Sequence, residues 1–96
     1  MTESAVSSTR GLSKLIFGNS YMLEVCVKVQ EAGSRTNLSL LVGDSGVSPS
    51  LYSVPVHRLV EAGFLIPDPQ AGDDRRERWY RPRRSTLWKI AKDLAA

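Results

Sequence analysis

Residues 36–63 read as two short helices separated by a tight turn. Leu38, Leu41 and Val42 fall on one side of a helix at i, i+3, i+4. The run Asp44-Ser45-Gly46-Val47-Ser48-Pro49 then interrupts the period. Gly46 is expected to close the first helix in a left-handed conformation, with Val47 folding back over the turn. Ser48 is expected to cap a second helix, and Pro49 suits its first position because the missing N–H would have been unpaired anyway. In that second helix Tyr52, Val56, Leu59, Val60 and Gly63 recur at i, i+4, i+7, i+8, i+11, an apolar stripe that should face a core.

The flanking segments read as further short elements. Residues 1–10 are mostly small and polar and are expected to be a disordered tail, followed by a single domain over 11–96. Leu12, Leu15 and Ile16 predict a short helix over 11–17. Asn19 or Ser20 can cap a second one carrying Met22, Leu23, Val25, Cys26 and Val29 up to Gly33. Val25-Cys26-Val27-Lys28-Val29 also alternates as a strand would, but helix is favoured because Glu24, Lys28, Gln30 and Glu31 then share the outer side. Thr36 or Asn37 can cap the helix at 38. Beyond Gly63, Phe64-Leu65-Ile66 predicts a strand, residues 67–74 a turn-rich loop, and residues 75–81 a return strand. Ser85 or Thr86 then caps a last helix with an apolar band of Leu87, Trp88, Ile90, Ala91 and Leu94. The class is α+β.

Charge is concentrated at one end. The net charge is only +3, but residues 75–92 hold Arg75, Arg76, Arg78, Arg81, Arg83, Arg84, Lys89 and Lys92 against the single acid Glu77. Such a separation creates a local positive field for polyanions. A solvated arginine-rich face is the plainer alternative; its place directly after two turn-linked helices favours nucleic acid.

Other chemistries find little support. Cys26 is the only cysteine and His57 the only histidine, too few for a zinc site within one chain and without an evident orienting partner for catalysis. Cys26 sits in an apolar run and is expected to pack as a small core residue. The acidic pair Asp73-Asp74 occupies a turn unsuited to fixed catalytic geometry, and glycine-rich phosphate loops are missing. Neither an enzyme activity, nor a cofactor, nor a metal is expected. The apolar runs are too short to span a bilayer and the first residues lack a signal peptide's pattern, so a cytoplasmic, nucleoid-associated location is expected.

The stretch Leu41-Val-Gly-Asp-Ser-Gly-Val-Ser-Pro-Ser50, followed by Arg58-Leu-Val-Glu-Ala-Gly-Phe-Leu65 and Asp74-Arg-Arg-Glu-Arg-Trp-Tyr80, resembles bacterial winged helix-turn-helix transcription regulators of the MarR, ArsR and PadR groups. The likeness covers roughly residues 11–95. It implies a three-helix core with a β-hairpin wing plus a C-terminal helix, a second helix entering the DNA major groove, and a basic wing on phosphates or the minor groove. Carried onto this chain, the groove-facing residues are Ser48, Ser50, Leu51, Ser53, Val54, His57 and Arg58, and the wing residues are Arg75, Arg76 and Arg78. The serines can hydrogen-bond phosphates or bases, and Leu51 or Val54 can touch thymine methyl groups. The resemblance also implies a homodimer, for which the apolar bands at 12–29 and 87–94 would serve, and regulation by repression. The paired thiolates of metal-sensing ArsR relatives are absent.

Two features depart from that pattern. Pro55 falls inside the second helix, where proline costs about 3 kcal/mol; either the helix kinks, or a turn at 49–53 precedes a shorter helix starting at Pro55. No Arg, Asn or Gln lies between 49 and 56, so bidentate base reading is missing from the expected side and specificity would rest on the wing and on DNA shape. The face Leu51-Val54-Pro55 also admits the alternative of a winged-helix module that binds another protein. Trp79 and Trp88 are expected to anchor the core or the dimer interface.

Overall fold

The computed structural model describes residues 8–68 and 78–96. Its elements follow in the order α1 (Thr9–Phe17), α2 (Met22–Ala32), β1 (Thr36–Asn37), α3 (Leu38–Val42), α4 (Pro49–Glu61), β2 (Leu65–Pro67), β3 (Trp79–Pro82) and α5 (Leu87–Ala95). The class is α+β, as the sequence predicts. Thr9 and Arg10, expected in a tail over residues 1–10, instead begin α1, and residues 1–7 lie outside the described residues. Ser8 caps it by accepting the Gly11 N–H at 2.9 Å, and Gly18 ends it at φ 74°, where its N–H reaches the Lys14 carbonyl.

The α2 helix lies at the centre. Leu23, Val25 and Cys26 are fully buried and Val29 nearly so, with α1, α5, α3 and α4 packed around them. Residues 25–29 are helical; the alternation that allowed a strand reflects burial on several sides at once. No capping oxygen comes from α2's own N-terminal residue. The cap comes from α1 instead: the buried Ser13 hydroxyl accepts the Leu23 N–H at 2.9 Å and donates to the Asn19 carbonyl at 2.6 Å. Asn19 itself turns the chain by accepting the Tyr21 N–H through its side chain at 2.8 Å. This one hydroxyl satisfies two backbone groups that would otherwise be buried unpaired, so it joins α1 to α2 as well as capping.

Asn37 serves twice. Its backbone belongs to β1, while its side chain accepts the Leu40 N–H at 2.8 Å and starts α3. The first helix of the pair ends earlier than expected: Gly43 follows Val42 as its C-terminal cap, and Gly46, at φ 78°, bends the connection further on. Ser48 occupies the N-terminal position of α4 with Pro49 next, but its hydroxyl does not cap the helix; it sits 3.0 Å from the Ser50 hydroxyl.

Pro55 neither shortens nor restarts α4, which runs unbroken from Pro49 to Glu61. The amide that proline lacks would have bonded the carbonyl of Leu51, four residues earlier. Leu51 lies on the exposed side of the helix, while the Pro55 ring is buried and contributes apolar area. Inward, Tyr52, Val56 and Leu59 meet the core as the stripe predicts.

The three strands form one antiparallel sheet in the order β1-β3-β2. Thr36 pairs with Tyr80 on one side, and Leu65, Ile66 and Pro67 pair with Pro82, Arg81 and Tyr80 on the other. Alternation along β3 buries Tyr80 and exposes Arg81. The α5 helix packs Trp88 and Ala91 against the core, with the Trp88 indole N–H donating to the Arg83 carbonyl at 2.8 Å. Its apolar band is not wholly inward: Ile90 is half exposed, as are Leu15 and Ile16 of α1. Among the described residues no helix is long and apolar enough to cross a membrane.

Two buried acids titrate late. Burial pushes the Cys26 thiol from 9.0 up to about 12. Burial, reinforced by Glu24, pushes the Tyr52 hydroxyl from 10.0 up to about 12. Both groups keep protons in the folded chain that the unfolded chain releases, so their stabilisation is complete below pH 9 and is lost as pH rises toward 12. The urea midpoint is therefore expected to fall from about pH 9 upward, and Cys26→Ala should delay the onset to about pH 10, where Tyr52 alone responds. An onset unmoved by the substitution contradicts this assignment.

Candidate nucleic-acid interface

The outward side of α4 is built by what its inward side buries. With Tyr52, Pro55, Val56 and Leu59 turned to the core, the 3.6-residue period leaves Ser50, Leu51, Val54, His57 and Arg58 exposed. Leu51 and Val54 keep 43% and 45% of their surface, enough to contact a partner. Ser48 is exposed at the head of the helix beside Ser50, and the two hydroxyls bond one another. Ser53 is half-buried and turned partly inward, unlike its expected companions. Pro55 is buried, which removes it from the apolar face expected to include it; that face consists of Leu51 and Val54.

Of the residues expected on a wing, Arg78 is exposed at the entry to β3. Arg75 and Arg76 lie outside the described residues. Arg81, Arg83 and Arg84, which belong to the basic run but carry no role in the sequence expectations, are all exposed. Arg83 is the most constrained. Its guanidinium carbon lies 4.7 Å from the centre of the Phe64 ring, its backbone N–H donates to the Phe64 carbonyl at 2.8 Å, and its own carbonyl holds Trp88. Phe64 in turn meets Trp88 edge-on at 6.3 Å.

A cluster behind α4 has no counterpart among the sequence expectations. Glu24, expected on the outer side of α2, is half-buried and accepts the Tyr52 hydroxyl. It also takes the Arg10 Nε–H at 2.7 Å, with a second Arg10 nitrogen at 3.4 Å. Arg10 lies 4.8 Å over the Tyr21 ring, whose centre is 6.0 Å from that of Tyr52. Lys28 approaches the Tyr52 ring at 5.7 Å. The spacing of Glu24 and Tyr52, 28 residues apart, carries no local signal. A tyrosine hydroxyl inside an apolar stripe was the one available hint, because a buried phenol needs a partner.

Two apolar features accompany these groups. A depression of about 200 Å³ is lined by Phe17, Met22, Cys26, Leu59, Phe64 and Leu87, among others, where α1, α2, α4 and α5 meet. Cys26 is buried there with its thiol protonated, which leaves it a poor nucleophile. The second is the pair of half-exposed residues Leu15 and Ile16 on α1. Among the described residues no group of three or more His, Cys, Asp or Glu side chains could hold a metal ion.

No family model, curated protein or solved structure matches the chain, so its functional reading rests on the residues and geometry described above.

Proposed function

We propose that the chain is a winged helix-turn-helix module that binds double-stranded DNA and regulates transcription, most simply as a repressor in the cytoplasm at the nucleoid. In this reading α3 and α4 form the helix pair, β2 and β3 the wing, and α1 and α5 the surface for a homodimer. The observation that carries it is the outward side of α4. A 13-residue helix packed on one side only leaves Ser50, Leu51, Val54, His57 and Arg58 free to enter a groove, with Ser48 at its positive end. The serines and the N-terminal amides would meet phosphates, and Leu51 and Val54 would meet thymine methyl groups. Ser53 contributes at most its exposed edge.

The basic run supports the same partner. Arg78, Arg81, Arg83 and Arg84 are all exposed near the end of the chain where positive charge collects, and Arg75 and Arg76 extend that run in sequence. No catalytic, cofactor or metal role is proposed. A homodimer would use Leu15, Ile16 and Ile90, the half-exposed apolar residues of α1 and α5, and its two-fold symmetry would set half-sites about one helical turn, ~10 bp, apart.

Wild-type affinity for a random-sequence duplex should fall steeply between low and moderate salt. Replacing Arg75, Arg76 and Arg78 by Ala should weaken binding and lower the slope of log affinity against log salt by about 0.9 for each phosphate no longer neutralised. A flat salt dependence, or a triple variant that binds like wild type, contradicts the wing assignment.

A second reading is favoured by one observation: Leu51 and Val54 expose nearly half of their apolar surface side by side on α4. In this reading the module docks on another protein through these two residues, without Pro55. The double change Leu51→Asp/Val54→Asp should abolish capture of such a partner while stability stays within the small range of surface substitutions, about 0.5 kcal/mol each by urea titration. Retained capture rejects the second reading.

A further inference from the structure

We propose that Glu24 is a positioning residue for α4, setting the rotation of that helix about its own axis and hence the side it presents to DNA. The inference rests on the proposed DNA reading for its consequence, but its geometry stands apart from it. Glu24 lies in the first turn of α2, where the helix dipole favours its negative charge. Its side chain is only 17% exposed, and both carboxylate oxygens are engaged. Oε1 accepts the Arg10 Nε–H from α1; Oε2 accepts the Tyr52 hydroxyl from α4 and, at 3.4 Å, a second Arg10 nitrogen. Three helices, α1, α2 and α4, therefore meet at a single carboxylate.

Apolar packing alone does not fix a helix's rotation closely, because side chains such as Val56 and Leu59 tolerate small slides. A charge-assisted hydrogen bond is short and directional and tolerates less. Tyr52 is the fourth residue of α4 and lies between Leu51 and Ser53 in sequence. At the roughly 5 Å radius of a helix with its side chains, a rotation of about 20° moves a groove-facing atom by about 2 Å, enough to break a hydrogen bond to a base. A phenol is protonated at neutral pH, and burial and Glu24 raise its pKa further, so Tyr52 remains a donor to the carboxylate. Arg10, half exposed and stacked over Tyr21, holds Glu24 from the far side, so the first turn of α1 is linked to the pose of α4 without facing DNA itself.

The test uses Tyr52→Phe, Glu24→Gln and the surface variant Arg10→Ala, each first shown by urea titration to be fully folded at the working temperature. Residual dipolar couplings then report the orientation of α4 relative to α2. Both Tyr52→Phe and Glu24→Gln are expected to change it, and the double variant should change it no more than either single one, since both break the same link. Arg10→Ala should change it in the same direction and by less. An orientation equal to wild type in both Tyr52→Phe and Glu24→Gln overturns the proposal, whether or not DNA binds. For the functional consequence, a duplex selected by the wild-type chain from a random pool is compared with an unselected duplex. Those two variants should lose at least about tenfold in affinity for the selected duplex while the unselected one changes less than about twofold, with the salt slope unchanged. Equal losses on both duplexes mark a merely structural role and overturn the proposal. A wild-type chain that selects no duplex at all removes the DNA reading but leaves the couplings to decide the role of Glu24.

Discussion

Everything in the fold leans on α2, a helix surrounded by other elements. In a chain of 96 residues the interior is small, and Leu23, Val25, Cys26 and Val29 take its centre. Burying each such side chain contributes about 1.5–3 kcal/mol, large beside a net stability of about 5–15 kcal/mol. The cost of that placement is polar: a helix end placed in the interior has amides to satisfy. Ser13 takes the Leu23 amide, and the Glu24 carboxylate at the same end recruits Arg10 and Tyr52. The apolar core thus forces a polar layer at one end of α2, and this layer connects α1, α2 and α4.

Local signals in the sequence were enough for the helices and for much of their orientation. The stripe of Tyr52, Val56 and Leu59 faces inward, Pro49 starts α4, and Cys26 packs as a small apolar residue. What could not be read depends on residues far apart. The two-residue strand β1 exists only because β3, more than forty positions later, pairs with it; alone, Thr36-Asn37 carries only the signature of a helix cap. The Ser13 cap and the Glu24 cluster are likewise contacts between elements. Pro55 left two outcomes open, a kink or a shorter helix starting there; α4 runs unbroken through it with the ring buried, which excludes the shorter helix.

The candidate site was legible in the same uneven way. Its α4 residues came from the resemblance, and the helix leaves Ser50, Leu51, Val54, His57 and Arg58 exposed while Ser53 is half-buried. The basic run named its own location, but not that Arg83 would be stacked on Phe64 and tied by its backbone to Trp88. A restrained arginine at the end of β3 and exposed cations nearby give the sheet end of the molecule both fixed and adaptable positive charge. The expected apolar bands of α1 and α5 are largely consumed within the chain by residues such as Trp88 and Ala91, which leaves Leu15, Ile16 and Ile90 as the outward remainder.

The proposed DNA binding through α4 comes down to which surface a duplex covers. Amide chemical shifts of the labelled chain, followed while a duplex of about 20 bp is titrated in, locate that surface directly. Ser48, Ser50, Leu51, Val54 and Arg78 are predicted to shift or broaden first, while Leu15, Ile16 and Ile90 stay in place. Perturbations centred on α1 and α5, or none along α4, would contradict it.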